Sequence, residues 1–290
     1  MASTNLNHSV MSDWSPLQQK LYRFIFSIRP AILSTFLKRI LGVKRGWISA
    51  EGIKFHIDPI SHFGQELMLT GRYEPVLSAT IKDLLKEGDK FLDIGANEGF
   101  FTLTAAKIVG PKGKVFAVEP QPYLVKSISE IAAANTLNNI EISEIAFTEQ
   151  KGEVELALAF STNSGASSLF QNKVTGMQTI KVAAESFDEW WNKKGSPIFD
   201  LVKIDCEGAE LFVFRSATKA LEGRFTKFIC LEYHENIIGA EGVWEIDDKI
   251  RSVGYQLAQL QNGVWIYYLP AITAMVPHWN PARSIPRLRS

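Results

Sequence analysis

The chain has 290 residues, 31 basic and 31 acidic side chains, and an apolar fraction of 46%. This length predicts one or two domains, and the apolar fraction excludes the disordered, collagen-like and coiled-coil classes. Two cysteines can form neither a disulfide framework nor a four-thiolate zinc site, which favours a reduced, cytoplasmic setting. No stretch is long and apolar enough to predict a membrane span, and the N-terminus lacks the residue order of a secretory signal.

The charges are unevenly distributed along the chain. Residues 14–50 carry seven basic side chains and no acid, residues 251–290 carry four arginines and no acid, and residues 51–250 have a net charge of −10. The basic ends are expected either to dock on the acidic body or to bind an anionic surface or substrate. The N-terminal part predicts basic amphipathic helices interrupted at Pro30, so contact with a membrane surface is an alternative to packing.

The predicted elements change in character along the chain. Residues 47–60 predict a short hairpin that turns at Glu51 and Gly52. From residue 90 onward, short apolar runs alternate with helical segments, which predicts an α/β domain with a largely parallel sheet. Strands are also predicted on both sides of a Ser/Gly-rich loop within residues 152–184, and Asn262-Gly263 predicts a final hairpin. The apolar runs cover residues 90–96, 114–120, 140–147, 200–206 and 227–234, and the helical segments cover residues 98–109, 121–136, 208–220 and 242–253.

The segment from Asp93 to Gly99 leaves a predicted strand and enters a helix. Its glycines let the backbone pass close to a ligand, and the helix N-terminus favours a carboxylate or phosphate. Glu119 ends the next strand, where an acid accepts hydrogen bonds from the ribose hydroxyls of a nucleoside. This spacing fits either a dinucleotide or S-adenosyl-L-methionine. The dinucleotide fingerprint has a glycine where this chain has Asn97, and Asp93 could face a ligand ammonium, so S-adenosyl-L-methionine is favoured as the cofactor.

Several blocks of the sequence occur in a recognisable order, namely FLDIGANEGFFTL, VFAVEPQP, NSGASSL, and LVKIDCEGAELFVF followed by FICLEYH. Together they resemble the FkbM family of S-adenosylmethionine-dependent methyltransferases over roughly residues 70–235. The resemblance implies a Rossmann-like class I methyltransferase fold of the α/β class, with a seven-stranded, mostly parallel sheet and an antiparallel terminal hairpin. It also implies O-methylation of a hydroxyl on a sugar, glycolipid or polyketide-type natural product. The basic N-terminal region lies outside the shared blocks, and Cys206 stands where the family usually has a small aliphatic residue.

The resemblance also implies a division of the chain and a set of cofactor-binding residues. We expect an N-terminal helical extension with its lead-in hairpin (residues 1–60), a methyltransferase domain (residues 61–270) and a Pro/Arg-rich tail (residues 271–290). By resemblance, the residues that hold the cofactor are Tyr73, Glu74, Asp93, Gly95, Asn97, Gly99, Glu119, Pro120, Gln121 and Ala146.

Acidic residues and a histidine follow two of the predicted parallel strands, at the sheet edge where α/β folds bind ligands. Asp205 and Glu207 follow the fourth strand, and Glu232 and His234 end the fifth. These four are the candidate catalytic residues, and His234 is the favoured base because histidine titrates near neutral pH. A divalent ion held by the acids is the alternative, but no compact ligand motif recommends it, and no metal is expected. Glu210 is expected on a helix face, outside the site.

Two rival functions stay open from the sequence. One is an NAD(P)-dependent oxidoreductase, which the missing central glycine disfavours. The other is a non-catalytic protein that binds S-adenosyl-L-methionine and associates with a membrane, which Asp93 and Glu119 disfavour. We expect a small-molecule or glycan acceptor and no nucleic-acid partner, and a homodimer is compatible with the sequence. Residues 54–75 and 152–184 are expected to select the acceptor, and their composition does not identify it.

Overall fold

The computed structural model describes residues 44–158, 167–169, 178–259 and 263–270, and five isolated positions before them (Ser15, Leu17, Lys20, Leu21 and Ile40). The predicted N-terminal helices, the NSGASSL loop, the turn at Asn262 and the tail lie wholly or largely outside the described residues. None of the helices in the described part is long and apolar enough to cross a membrane. The division into three segments, the membrane contact and the homodimer stay predictions.

Strands and helices alternate through most of the described chain. The strands are β1 (Gly46–Ala50), β2 (Ile53–Ile57), β3 (Lys90–Ile94), β4 (Lys114–Val118), β5 (Ile140–Ser143), β6 (Ala146–Phe147), β7 (Gly152–Ala157), β8 (Thr179–Glu185), β9 (Phe199–Ile204), β10 (Thr226–Glu232), β11 (Gln256–Gln259) and β12 (Val264–Tyr268). The helices are α1 (His62–Thr70), α2 (Pro75–Leu84), α3 (Phe100–Val109), α4 (Pro122–Ala134), α5 (Phe187–Lys193), α6 (Glu210–Ser216), α7 (Thr218–Glu222) and α8 (Glu235–Ser252).

A seven-stranded sheet forms the centre of the fold, in the order β11-β12-β10-β9-β3-β4-β5. The strands from β10 to β5 run parallel to one another, whereas β12 runs antiparallel to both β10 and β11. The predicted α/β fold, with a mostly parallel sheet and an antiparallel terminal hairpin, is confirmed. The order of the strands switches at β3, because β4 and β5 lie on one side of it and β9 and β10 lie on the other. The strand ends at such a switch point open into a crevice, which is where these sheets bind ligands.

The hydrophobic core lies in two layers, one on each face of the central sheet. Successive side chains of a strand point to opposite faces, so neighbouring residues belong to different layers. Phe91 packs with the β1–β2 hairpin and α3 in one layer, whereas Leu92 packs with α5 and α6 in the other. Burial on both faces explains why the parallel strands read as nearly continuous apolar runs in the sequence.

The predicted hairpin at residues 47–60 is present as β1 and β2. Glu51 and Gly52 both have positive φ (53° and 74°), as a tight two-residue hairpin turn requires. Phe55 is fully buried and stacks on Phe100 of α3, with 5.6 Å between the ring centroids. The hairpin therefore shares a hydrophobic core with the domain that follows it, although the predicted boundary at residue 60 separates the two.

One basic residue of the N-terminal region docks on the acidic body. Arg45 donates hydrogen bonds to the carbonyl of His56 at 2.6 Å and to the carboxylate of Glu98 at 2.5 Å. Glu98 is almost completely buried, so this ion pair joins the segment before β1 to the start of α3. For Arg45, this contact agrees with the expectation that the basic N-terminal region docks on the acidic body. Arg23, Arg29, Lys38 and Arg39 lie outside the described residues.

The structure corrects the predicted strand at residues 140–147. Its first half, β5, is the edge of the central sheet, and its second half, β6, pairs with β8 in a separate three-stranded sheet of order β6-β8-β7. The separation has a packing cause, because the buried ring of Phe147 contacts Phe187 and Trp190 of α5, with centroids 5.2 and 5.5 Å apart. An apolar run in the sequence cannot distinguish one strand from two that leave one sheet for another.

Three helical expectations also change. The predicted helix at residues 208–220 is two short helices, α6 and α7, and the helix predicted from residue 242 begins at Glu235 and has a break at Gly239 (φ 72°). Helices α1 and α2 occupy residues 62–84, most of which the sequence indicated only as a loop and a lead-in to the domain. Ser61 caps α1 by accepting a hydrogen bond from the N–H of Gly64, and α2 begins directly after Glu74.

Candidate active site

A cavity opens at the carboxyl ends of β3, β4, β9 and β10, and most of the predicted site residues line it. The predicted cofactor-binding residues in its wall are Tyr73, Glu74, Gly95, Asn97, Glu119, Pro120, Gln121 and Ala146. The candidate catalytic residues in its wall are Asp205, Glu207, Glu232 and His234. Asp93 and Gly99, which the sequence also predicted in the site, are outside the wall. The apolar part of the wall includes Ile145, Leu156 and Leu169. Leu156 and Leu169 fall within residues 152–184, which were expected to select the acceptor, whereas Ile145, between β5 and β6, was not predicted.

The two glycines of the loop after β3 are required mainly by the packing of the protein. Gly95 has a φ of 79°, and a Cβ atom there would lie 1.8 Å from the backbone oxygen of Asp205. Gly99 has a φ of 83°, and its Cβ would lie 2.8 Å from the side chain of Ile128. The expectation that both glycines make room for a ligand is therefore incomplete, since Gly99 makes room for helix α4 and only Gly95 reaches the cavity.

Glu119 lies in the wall of the cavity and is held there by the backbone. Its Oε2 accepts the N–H of Asn97 at 2.9 Å, and its Oε1 accepts the N–H of Gln121 at 3.0 Å. Burial raises the pKa of Glu119 to about 7, although these two backbone hydrogen bonds favour the ionised form. The side chain of Gln121 also donates to this carboxylate, and hydroxyl groups of a ligand would use the acceptor positions that remain. The position suits the paired hydroxyls of a ribose.

Asp93 lies beneath the cavity and is tied to protein groups. The side chain is fully buried, its Oδ2 accepts a hydrogen bond from the hydroxyl of Thr102 at 2.6 Å, and its Oδ1 is 3.5 Å from Nζ of Lys203. Burial raises the pKa of Asp93, and the ammonium of Lys203 opposes that effect. The role of Asp93 as the direct partner of a ligand ammonium stays a prediction, and in this structure the ammonium of Lys203 lies beside its carboxylate.

Lys203 links the loop after β3 to the end of β9. Its Nζ donates to the carbonyl of Gly95 at 2.9 Å and is 3.2 Å from Oδ2 of Asp205. Although burial favours the neutral amine, the charges of Asp205 and Asp93 raise the pKa of Lys203, and it stays an ammonium. In a strand, residues two positions apart have side chains on the same face. The spacing of Lys203 and Asp205 in the sequence could therefore have predicted that they form a pair.

Tyr73 and Glu74 close one side of the cavity. The ring of Tyr73 packs edge-on against Phe63 and Phe100, with centroids 4.9 and 5.4 Å apart. Glu74 has a left-handed backbone (φ 40°) and ends the turn just before α2. Burial raises the pKa of Glu74, and the nearby ammonium of Lys203 opposes that effect. The aromatic packing holds this turn in place. The carboxylate of Glu74 therefore stays close enough to Lys203 and Asp205 to interact with their charges.

His234 lies at the opposite end of the cavity from Glu119, among carboxylates. Its Nδ1 is 2.9 Å from Oε1 of Glu210, and its Nε2 is 3.4 Å from Oε2 of Glu207 and 3.9 Å from Oδ1 of Asp205. Burial alone would lower the pKa of His234, but the hydrogen bond to Glu210 and the charges of the three carboxylates raise it to about 9. At neutral pH the ring is therefore protonated in this arrangement. The role of His234 as the base stays a prediction, since the ring must be neutral when it takes a proton from an acceptor.

Glu210 is the main site residue that the sequence misplaced. Its side chain is fully buried instead of lying on an exposed helix face, and Oε1 accepts the N–H groups of Cys206 and Gly208. Its contact with His234 depends on the turn between β9 and α6, which no periodicity in the sequence predicts. Glu232 lies where the sequence placed it, in the cavity wall, and burial and the charges of Asp205 and Glu74 raise its pKa to about 7.

The comparison with protein families places this site in a known context. Residues 93–257 match the family described as the methyltransferase FkbM domain, which is more than half of the chain. The chain belongs to this family. The family predicted from the sequence is confirmed.

Two curated relatives match about half of this FkbM-domain protein. The hexuronic acid methyltransferase AglP of Haloferax volcanii is 28% identical over 162 residues, which cover 52% of this chain and 59% of the relative. The 2-O-methyltransferase NoeI of Sinorhizobium fredii is 25% identical over 169 residues, which cover 53% of this chain and 68% of the relative. Other curated methyltransferases match over 58–66 residues, and the chain spans no more than 34% of their length.

Among solved structures, the fibrillarin of Aeropyrum pernix, crystallised with natively bound S-adenosyl-L-methionine, aligns with a TM-score of 0.39. It is 15% identical to this chain, and the alignment covers 67% of this chain and 73% of fibrillarin.

Proposed function

We propose that this FkbM-domain protein transfers the methyl group of S-adenosyl-L-methionine to a hydroxyl of a sugar, glycolipid or polyketide-type natural product. The observation that carries the proposal is the position of Glu119, a buried carboxylate oriented by two backbone N–H groups at the end of β4. A carboxylate in this place suits ribose hydroxyls. It shares one cavity with the charged groups around His234, so a nucleoside cofactor and an acceptor could lie side by side.

The residues of the site fit the cofactor. Glu119 would accept the ribose hydroxyls, and the apolar wall formed by Ile145, Ala146 and Leu156 offers a surface for a planar base. Glu74 supplies a carboxylate for the amino acid portion in place of Asp93, which is bound to Lys203. S-adenosyl-L-methionine supplies an activated methyl group when bound. The protein's part is to align an acceptor oxygen with that methyl group, because transfer is an in-line displacement.

The acceptor would lie at the end of the cavity that Asp205, Glu207, Glu232 and His234 line. Carboxylates and an imidazolium are hydrogen-bonding partners for the several hydroxyls of a sugar. The two relatives named above are a hexuronic acid methyltransferase and a 2-O-methyltransferase, which supports a sugar hydroxyl as the acceptor group. The charged lining favours a polar acceptor over an apolar one.

Calorimetry with S-adenosyl-L-homocysteine and with NAD distinguishes this function from an oxidoreductase. We expect the purified protein to bind S-adenosyl-L-homocysteine at one site and to show no heat of binding with NAD. Incubation with S-adenosyl-L-methionine and a panel of glycosides, followed by mass spectrometry, should then show one added methyl group on a polar sugar acceptor. Binding of NAD without binding of S-adenosyl-L-homocysteine would contradict the proposal.

The pKa of Glu119 predicts how cofactor binding depends on pH. Ribose hydroxyls donate to the ionised carboxylate, so binding should be strong above pH 7 and should weaken as the pH falls through about 7. Between pH 8 and pH 6 the dissociation constant of S-adenosyl-L-homocysteine should rise about tenfold. The ligand's own groups titrate with every variant, so Glu119→Gln is the control. The dissociation constant of this variant should lack the part of the pH dependence that comes from the carboxyl group of Glu119. An equal dependence in both proteins would contradict the prediction.

A further inference from the structure

The groups around His234 have the composition and spacing of a metal site. One carboxylate oxygen from Asp205, one from Glu207 and a ring nitrogen of His234 lie within 4.8 Å of one another. Nitrogen and oxygen ligands lie about 2.0–2.2 Å from a divalent ion, so ligand atoms at right angles are about 3 Å apart and opposite ones about 4 Å. The distances from Nε2 of His234 to the two carboxylates, 3.4 and 3.9 Å, fall in this range.

Glu210 supplies an independent sign that His234 is oriented as a ligand. Metal-binding histidines almost always donate their second ring N–H to a carboxylate or carbonyl, which fixes the ring. Here Nδ1 of His234 is 2.9 Å from Oε1 of Glu210, so Nε2 is the atom that faces Asp205 and Glu207. Glu210 is itself fully buried and held by two backbone N–H groups, and its Oε2 has no hydrogen-bond partner among the described residues.

The backbone at Glu207 is strained in a way that directs its side chain into the cluster. Glu207 has a φ of 53°, in the left-handed region that residues other than glycine rarely adopt, and Gly208 follows with a φ of 98°. The hydroxyl of Ser168 donates to the carbonyl of Glu207 at 2.7 Å, which stabilises this conformation. Strain of this kind persists when the surroundings hold it, and it concentrates at functional sites.

The balance of charge also favours a cation. Asp205, Glu207, Glu210 and Glu232 all interact electrostatically at this end of the cavity, and Lys203 is shared between Asp205 and the buried Asp93. A divalent ion between Asp205 and Glu207 would offset part of this negative charge.

We propose that Asp205, Glu207 and His234 bind a divalent cation, and that Glu210 is the positioning residue for His234. Imidazole and carboxylate ligands together suit Mn²⁺ and related first-row ions. Resting on the proposed function, the ion would hold the acceptor hydroxyl and lower its pKa, which favours loss of the hydroxyl proton. The sequence expected no metal because the ligands come from two separate strand ends.

Binding of Mn²⁺ to the full chain tests the proposal without cofactor or acceptor. After treatment with a chelator and its removal, Mn²⁺ is titrated into the protein, and the free ion is measured by electron paramagnetic resonance. We expect one site in the wild type. Glu207→Gln and His234→Gln should each lose it, and Glu210→Gln should weaken it about 10- to 100-fold. Glu235→Gln is the matched control, because Glu235 follows His234 but is exposed, and it should bind like the wild type.

The outcomes separate this inference from the proposed function. Wild-type protein that binds no Mn²⁺ at millimolar concentration, or variants at Glu207 and His234 that bind it like the wild type, would overturn the metal site. Melting curves of each variant show whether it is folded. If one of the other variants is unstable, the partial loss of Mn²⁺ affinity expected for Glu210→Gln still tests the site. If S-adenosyl-L-homocysteine binds but Mn²⁺ does not, the metal site fails alone. If Mn²⁺ binds in the absence of any cofactor binding, the proposed function fails and the metal site stands.

Discussion

Replacement of Lys203 by methionine is expected to lower the free energy of unfolding by about 3–5 kcal/mol, because it leaves buried carboxylates without their cation. Methionine has a similar length, so the change mainly removes charge. Asp93 is fully buried, and its Oδ1 has no hydrogen-bond partner among the described residues, so the ammonium at 3.5 Å is its main compensation. Denaturant titration of the variant and the wild type measures the difference.

Two further variants test that explanation. Lys114 forms an ion pair with Glu141 at 2.6 Å, but its side chain is 47% exposed, so Lys114→Met should change the stability by only about 0–1 kcal/mol. Adding Asp93→Asn to Lys203→Met should recover part of the loss, because the buried charge is then absent. A loss at Lys203 no larger than the loss at Lys114 would show that the buried ion pairs do not stabilise the fold.

Replacement of Glu119 by alanine should weaken the binding of S-adenosyl-L-homocysteine about 10- to 150-fold. The variant loses charge-assisted hydrogen bonds to the ribose, which are worth about 1.5–3 kcal/mol. It also leaves the N–H groups of Asn97 and Gln121 without their acceptor, so part of the effect would come from a less ordered loop. Calorimetry measures the affinity, and a melting curve shows whether the variant is folded.

The matched control for this variant is Glu144→Ala, since Glu144 is an exposed acid near the end of β5. Its replacement removes one negative charge from the same acidic body and should leave the affinity unchanged. An unchanged affinity in a folded Glu119→Ala protein would exclude Glu119 as the ribose ligand. A similar loss in both variants would mean that the overall charge of the protein, rather than a specific hydrogen bond, governs the binding of the ligand.

Alternation of apolar runs with helical segments was sufficient to predict the parallel sheet, because strands buried on both faces need nearly continuous apolar residues. The same pattern placed Asp205, Glu207, Glu232 and His234 at one sheet edge. Parallel strands all end at the same edge, so residues that follow them in the sequence come close in space even when they are far apart along the chain. The sequence alone is thus enough to predict which residues lie at the ends of strands.

Partners within the site were decided only by the tertiary structure. Asp93 was expected to face a ligand. The sequence of a strand predicts which side chains share a face, but it does not predict which strand lies beside it, and here β9 brings Lys203 next to Asp93. Glu210 was expected on a helix surface, but the strained turn at Glu207 directs it inward to His234. These contacts set whether His234 is charged, because a pKa depends on burial and on charges that arrive from other elements. The sequence by itself therefore determined the family, the sheet and the edge where the site lies, whereas packing between distant strands decided which of its groups are paired and which are open to a ligand.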